Sequence, residues 1–300
     1  MKNDIVWFDK KFMSINKATV PITTHAIHYG TSAFEGIRAY WNGENLYIFR
    51  LDNHIKRFKE TLRYYNLKTQ YSEKILKDAI INLCKKNKIK HSCYIRPVCF
   101  VGNHGIQLHI RGAPTHVCIF TLTFDDIFNK NGINMGISQW RKFSNKSTPM
   151  QAKMGGNYLN SIIATNDARS KNFDEALLLD MKGNVSEAPG ENIFILKNNN
   201  LITPKISSAL DGITKKTVFE IAKKMKLNVK HDTIAKRQLF TADEIFITGT
   251  ATEIVPIISI DKRKISHGRI GIMTRKIMSR YMDITSNRDK KYSKWLTKVY

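Results

Sequence analysis

The feature that most constrains the fold is a change of period in the apolar pattern near residue 51. Before it, short runs such as Ile5-Val-Trp-Phe8, Phe12-Met13, Gly36-Ile-Arg-Ala-Tyr-Trp41 and Leu46-Tyr-Ile-Phe49 are separated by turn residues like Asn42-Gly43, which predicts an antiparallel sheet. After it, Leu51, Ile55, Phe58, Leu62 and Tyr65 recur at helical spacing, and Ser72 is placed to begin a second helix running to about Asn87. Two more strand-like runs follow, from Cys93 to Val101 and from Val117 to Phe124. This half reads as α+β.

The stretch from Phe124 to Gly132 is polar and turn-rich, so the expected partition is a small N-terminal α+β domain at 1–124, a linker at 125–132 and a large C-terminal domain at 133–300. Helices are expected there from about Asn157 to Ser170, Thr214 to Lys226 and Gly271 to Met282. Strands are expected at Ala176 to Asp180, around Asn192 to Leu196, at Glu244 to Thr248 and from Ile254 to Ile260. Two domains suit a chain of 300 residues, above the size at which one core usually stops growing.

No run approaches the roughly 18 apolar residues a membrane helix needs, and the first twenty residues mix Asp4, Asp9, Lys10 and Lys11 into a short apolar pattern unlike a secretory segment. Cys84, Cys93, Cys99 and Cys118 show neither a C-x-x-C pair nor zinc-ligand spacing, so the expectation is reduced thiols in the cytoplasm and no metal. The net charge of +24 raises a nucleic-acid hypothesis. The lysines are scattered through helices and turns, with no helix-turn-helix, RNP or zinc-finger pattern, so nucleic acid is not expected as the primary partner. A basic nucleic-acid-binding protein stands as the alternative from a different class.

Three stretches can carry chemistry. Gln151-Ala-Lys153-Met-Gly155-Gly156-Asn157-Tyr158 sets a lysine before two glycines and a helix. Such a lysine can form a Schiff base with an aldehyde cofactor, or be an ordinary loop lysine beside a turn. Thr248-Gly249-Thr250-Ala251-Thr252 leaves a strand, and Leu210-Asp-Gly212-Ile213-Thr214 opens a helix. Both can offer backbone N–H groups to an anion, and both can equally be plain strand-to-helix connections. Arg57 lies off the apolar stripe of its helix, where a solvated arginine is the ordinary expectation.

The run His25-Ala-Ile-His28-Tyr29-Gly30-Thr-Ser-Ala-Phe34-Glu35-Gly36-Ile-Arg38 resembles the N-terminal signature of branched-chain-amino-acid aminotransferases, pyridoxal-phosphate enzymes of fold type IV. Tyr94-Ile-Arg96-Pro97, the Lys153 stretch, Ser186-Glu187 with Gly190-Glu-Asn192, Asp211-Gly-Ile-Thr214 and Thr248-Gly249-Thr250-Ala251 are similar to that family in order and spacing. The resemblance implies an α+β, two-domain fold: a smaller N-terminal α/β sandwich and a larger C-terminal domain with a mainly antiparallel, barrel-like sheet. It implies transamination of L-leucine, L-isoleucine and L-valine with 2-oxoglutarate, using pyridoxal 5'-phosphate.

Residue by residue, Lys153 matches the lysine that holds the cofactor and moves the substrate Cα proton. Glu187 matches the acid facing the pyridine nitrogen, and Tyr158 the phenol on the ring oxygen. Arg57, Ile213, Thr214 and Thr250 match the phosphate cup. Thr250 and Ala251, with Tyr94, match the α-carboxylate site. Phe34 and Tyr29 match the walls of the side-chain pocket, and Arg96 matches the acceptor of a distal carboxylate. A homo-oligomer is implied too, a dimer at least and possibly a hexamer, with the segment from Gly102 to Ile110 donated to a neighbour. The chain departs from the family at Ala188-Pro189, where glycine commonly follows the acid, at Lys215, where arginine is usual, and in the linker, which lacks the proline and aromatic residues of many relatives. D-amino-acid aminotransferases and aminodeoxychorismate lyases share the fold and the lysine, but the His-x-x-His-Tyr-Gly and Tyr-Ile-Arg-Pro stretches mark the branched-chain group.

Overall fold

The structure is a computed structural model that describes residues 4–123, 126–205 and 209–300. Phe124 and Asp125, called above as a strand end and the start of the linker, lie outside the described residues. In chain order the elements are β1 (Ile5–Phe8), β2 (Lys11–Ser14), α1 (His25–Tyr29), β3 (Ser32–Phe34), β4 (Ile37–Trp41), β5 (Leu46–Phe49), α2 (Leu51–Tyr64), α3 (Glu73–Lys86), β6 (Cys93–Val101) and β7 (Thr115–Leu122). There follow β8 (Ile133–Arg141), α4 (Tyr158–Ser170), β9 (Glu175–Leu179), β10 (Val185–Glu187), β11 (Asn192–Lys197), β12 (Asn200–Pro204), α5 (Ile213–Lys224), β13 (Asn228–Asp232) and α6 (Lys236–Leu239). The last are β14 (Glu244–Gly249), β15 (Glu253–Ile260), β16 (Arg263–Lys264), α7 (Ile272–Thr285) and β17 (Leu296–Lys298).

Two compact units result. The first joins the described residues up to 123 with Ala152–Gly156 and Ile284–Tyr300; the second holds those between 126 and 151 and between 157 and 283. The expected partition was contiguous and the compact units are not, because both the lysine segment and the tail pair with elements of the first unit.

The first unit is built on an eight-stranded sheet in the order β17-β5-β4-β6-β7-β1-β2, with β3 also on β6 and every pairing antiparallel. Asp9 and Lys10, both at positive φ, close the β1–β2 hairpin in a two-residue turn that matches the strand twist. On α2, Leu51, Ile55, Phe58 and Leu62 are buried as their spacing dictates. Ser72 caps α3 by accepting the Ile75 N–H at 3.2 Å. Both helices bury their apolar faces in one core with Ile37, Leu46, Ile48 and Ile95 of the sheet.

The lysine segment is bound into this unit by its backbone. Met154 bridges to Ala33, the Phe34 N–H donates to the Lys153 carbonyl at 3.1 Å, and the Gly156 N–H donates to the Gly30 carbonyl at 3.1 Å. A Cβ on Gly155 would stand 2.4 Å from the Ser32 hydroxyl and one on Gly30 would stand 3.1 Å from the Gly156 Cα. The close approach these glycines allow is within the chain itself, to a side-chain hydroxyl at Gly155 and to backbone at Gly30.

The second unit carries a nine-stranded half-barrel in the order β10-β9-β8-β15-β14-β11-β12-β13, with β16 on β15. Pairing is antiparallel except at β8–β9, β8–β15 and β12–β13. Its core gathers Ile133, Met135, Leu177, Ile193, Ile195, Ile245, Ile247, Val255 and Ile257 from adjacent strands. No described helix is long and apolar enough to cross a membrane.

Candidate active site

In the first unit the expected residues Phe34, Arg57, Tyr94, Arg96 and Lys153 come together. Lys153 is partly buried, and its Nζ stands 4.8 Å from the centre of the Phe34 ring. The Arg96 guanidinium lies 4.6 Å from the same ring and donates to the Tyr94 hydroxyl at 3.1 Å. Desolvation and the positive charge of Arg57 lower the Lys153 pKa to about 8, against a smaller upward pull from Glu35. That raises the neutral fraction of the amine near neutral pH above that of an ordinary lysine, and the neutral form is the one that acts as a nucleophile.

Arg57 does not stand in solvent. Its Nε and Nη2 donate to the Glu35 carboxylate at 2.6 and 2.9 Å, and His54 Nδ1 meets the same carboxylate at 2.8 Å. Glu35 and His54 are buried. Burial alone would raise the Glu35 pKa, but Arg57 and His54 outweigh it and hold the carboxyl well below the usual range. Burial is also the chief reason the His54 pKa falls, against the pull of Glu35. Tyr29 is half exposed, packs its ring against that of His25 in a tilted arrangement at 4.6 Å between ring centres and donates to the Ile106 carbonyl at 3.1 Å.

The second unit holds the rest. Glu187 ends β10 and is buried; Lys142 Nζ lies 2.9 Å from its Oε1, and Asn192 Nδ2 and the Leu210 N–H donate to its Oε2 at 3.2 and 3.0 Å. Asn192 also donates to the Leu210 carbonyl at 2.8 Å, and Gln151 ties down the same loop through Ala209 and Asp211. A Cβ on Gly212 would sit 2.1 Å from the Asn192 side-chain oxygen, so only glycine admits this packing. Ile213 and Thr214 open α5, whose Gly212 cap supplies no side-chain acceptor to the first N–H groups. Lys215 is buried and pairs with Asp211 at 2.9 Å. Thr250 and Ala251 form the turn between β14 and β15, flanked by the Thr248 and Thr252 hydroxyls, which are buried without a hydrogen-bond partner among the described residues. Tyr158 begins α4.

Each unit by itself carries groups that suit part of a phosphate-bearing aldehyde cofactor: in the first, an amine of lowered pKa; in the second, a buried acid, an uncapped helix start, and two buried hydroxyls beside a tight turn that have no hydrogen-bond partner among the described residues. Among the described residues no group of three His, Cys, Asp or Glu can hold a metal ion. The expectations missed His54, Thr61 and Lys142 altogether and gave Glu35 and Asn192 no role of their own. His54, Arg57 and Thr61 lie at i, i+3 and i+7 on one face of α2, a polar stripe beside the apolar one that was the available signal. No local pattern marks Lys142, which β8 and β10 bring to Glu187 over a long stretch of chain.

The amino-transferase class IV family pattern matches residues 32–260. A probable branched-chain-amino-acid aminotransferase of Aquifex aeolicus is 36% identical over 99% of this chain and 97% of its own. The branched-chain aminotransferase of Thermoproteus uzoniensis, solved with norvaline, superposes with a TM-score of 0.96 at 38% identity and covers 99% of both chains. The branched-chain amino acid aminotransferase of Thermobaculum terrenum, solved in its PLP-bound holo form, superposes at 0.95 with 29% identity over 100% of both chains.

Proposed function

Because the chain belongs to the class IV aminotransferase family, we propose that it moves the amino group of L-leucine, L-isoleucine or L-valine to 2-oxoglutarate, reversibly, giving the branched-chain 2-oxo acid and L-glutamate. Pyridoxal 5'-phosphate, its cofactor, supplies the electron sink that makes the substrate Cα–H bond breakable. Lys153 holds the cofactor and carries the Cα proton. Glu187 keeps a positive charge on the pyridine nitrogen, and Tyr158 binds the ring oxygen. Arg57, the N–H groups of Ile213 and Thr214 and the Thr250 side chain take the phosphate. The Thr250 and Ala251 N–H groups, with Tyr94, take the substrate α-carboxylate.

The observation that carries the reading is the surroundings of Lys153. Phe34 stands against the amine, and Arg96 lies on the same ring. An apolar face beside a guanidinium suits a site that accepts an aliphatic side chain in one half-reaction and a carboxylate in the other. Phe34 and Tyr29 take the aliphatic side chain, and Arg96 offsets the cost of burying the glutamate carboxylate. Purified protein mixed with 2-oxoglutarate and a panel of L- and D-amino acids should form glutamate with L-leucine, L-isoleucine and L-valine. Turnover confined to D-amino acids would overturn the reading.

The protein works as a homo-oligomer, a dimer at least, in the cytoplasm. Ile106 and Leu108 are 84% and 81% exposed in the segment from Gly102 to Ile110, an apolar surface suited to a second copy of the chain. The four free cysteines, three of them buried, suit a reducing compartment. A fully active monomer in sedimentation would contradict the assembly.

A further inference from the structure

Lys153 is gripped on both sides of its Cα. On one side its carbonyl accepts from the Phe34 N–H at 3.1 Å; on the other its own N–H donates to the Thr61 hydroxyl oxygen at 3.1 Å. Thr61 is fully buried on α2. The same face of α2 carries His54 and Arg57, and both bind the carboxylate of Glu35, the residue after Phe34. One buried carboxylate therefore locks together the two elements that hold the lysine backbone.

We propose that Thr61 is a positioning residue for Lys153, setting the direction of the lysine side chain through its backbone N–H. The proposal rests on the reading of Lys153 as the cofactor lysine. The Lys153 N–H donates directly to the Thr61 oxygen, so the orientation of that peptide depends on it. A buried N–H without an acceptor is costly, so removing the Thr61 oxygen makes the Lys153 peptide turn to find another partner. A turn of the backbone at Cα is carried to Nζ along the whole side chain, where proton transfer is most sensitive to displacement.

The test compares Thr61→Ser, which keeps the oxygen, with Thr61→Ala, which loses it; both lack the methyl group. In the pyridoxal-phosphate-loaded protein, Thr61→Ala is expected to lower kcat on the order of ten- to a hundredfold with little change in KM for leucine. Its visible circular dichroism per bound cofactor should weaken, because the cofactor follows the lysine, while Thr61→Ser stays close to the parent in both. Should Thr61→Ala not fold, Thr61→Val, which fills the same volume without the oxygen, takes its place. Borohydride fixation with peptide mapping separates the two readings. An adduct on a lysine other than Lys153 in the parent protein overturns the cofactor assignment. An adduct on Lys153 together with equal kcat and equal dichroism in the Ser and Ala variants overturns the role of Thr61 alone.

Discussion

Two carboxylates are buried among the candidate functional residues, Glu35 in the first unit and Glu187 in the second, and they are satisfied in different ways. Glu35 meets a forked guanidinium through two bonds and an imidazole through a third, all from one face of α2. Glu187 meets a lysine, an amide side chain and a backbone N–H from three separate segments. The first is a rigid, planar pairing that fixes geometry; the second is a point charge plus neutral donors, which holds an acid in place with less dependence on any one partner. The difference teaches that burial of an acid is not by itself a sign of reactivity. Glu35 serves as a counterion in the lysine's neighbourhood, whereas Glu187, on the function proposed above, is the acid that faces the pyridine nitrogen.

Removing Lys153 should have the largest effect. Lys153→Ala is expected to lower turnover by about 10²- to 10⁴-fold, the range for a positioned proton-transfer group, as measured by glutamate formation. Near-normal turnover would shift the chemistry away from the first unit and break the comparison.

Glu35→Leu comes next, leaving Arg57 beside Lys153 without its counterion. Urea unfolding should show a loss of about 3–5 kcal/mol, the range for breaking a buried pair by removing one partner. The same pair predicts a pH effect. Since the folded pKa of Glu35 lies below its ordinary value of 4.5, its stabilisation is complete above that pH and is lost as pH falls beneath it. Acidification should therefore lower the parent's urea midpoint more steeply than that of Glu35→Gln.

Lys142→Met should cost less, about 1–3 kcal/mol, because Asn192 and the Leu210 N–H remain on Glu187. Adding Glu187→Gln should recover part of the loss by removing the unpaired charge. A cost equal to that of Glu35→Leu would erase the contrast between the two carboxylates.

A subtler measurement concerns Lys153 itself. In cofactor-free protein, the rate of borohydride-trapped reaction with pyridoxal 5'-phosphate should rise through a pH of about 8, rather than near the ordinary 10.5. Arg57→Met should move that midpoint upward, since it removes a nearby positive charge. At the bottom of the scale, Lys74→Ala breaks an exposed ion pair with Asp78 and should leave the urea midpoint unchanged within error.

What was legible in the chain divides along the same physical line. Ile5–Phe8, Leu46–Phe49 and Cys93–Val101 have the expected bounds, because alternation and turn residues are local signals, and Ser72 caps α3 as expected. The helix expected from Thr214 to Lys226 runs Ile213–Lys224, and the strand expected from Val117 onward begins at Thr115. The five-residue α1, the parallel pairing of β12 with β13 and the pairing of β17 with β5 carry no such signal, since each is decided by distant neighbours. The same holds for the candidate site. Lys153, Glu187 and the Thr250 turn sit in recognisable stretches, whereas the partners of Arg57 and Glu187 are set by contacts across 22 and 45 residues of chain, the second separation being that between 142 and 187.

The interleaving of the two units has a consequence for the order in which the protein is made. At roughly 5–20 residues per second of synthesis, β1 to β7 emerge seconds before residue 153, and β5 waits much longer for β17. During that interval the backbone edge of β5 and the buried acceptor on Thr61 have no native partner, which is the condition under which strands join the wrong chain. Lys153 is thus delivered to a scaffold that already exists, and the sheet beneath it is sealed afterwards by a strand whose flanking Tyr300 binds Asn45 from 255 residues away.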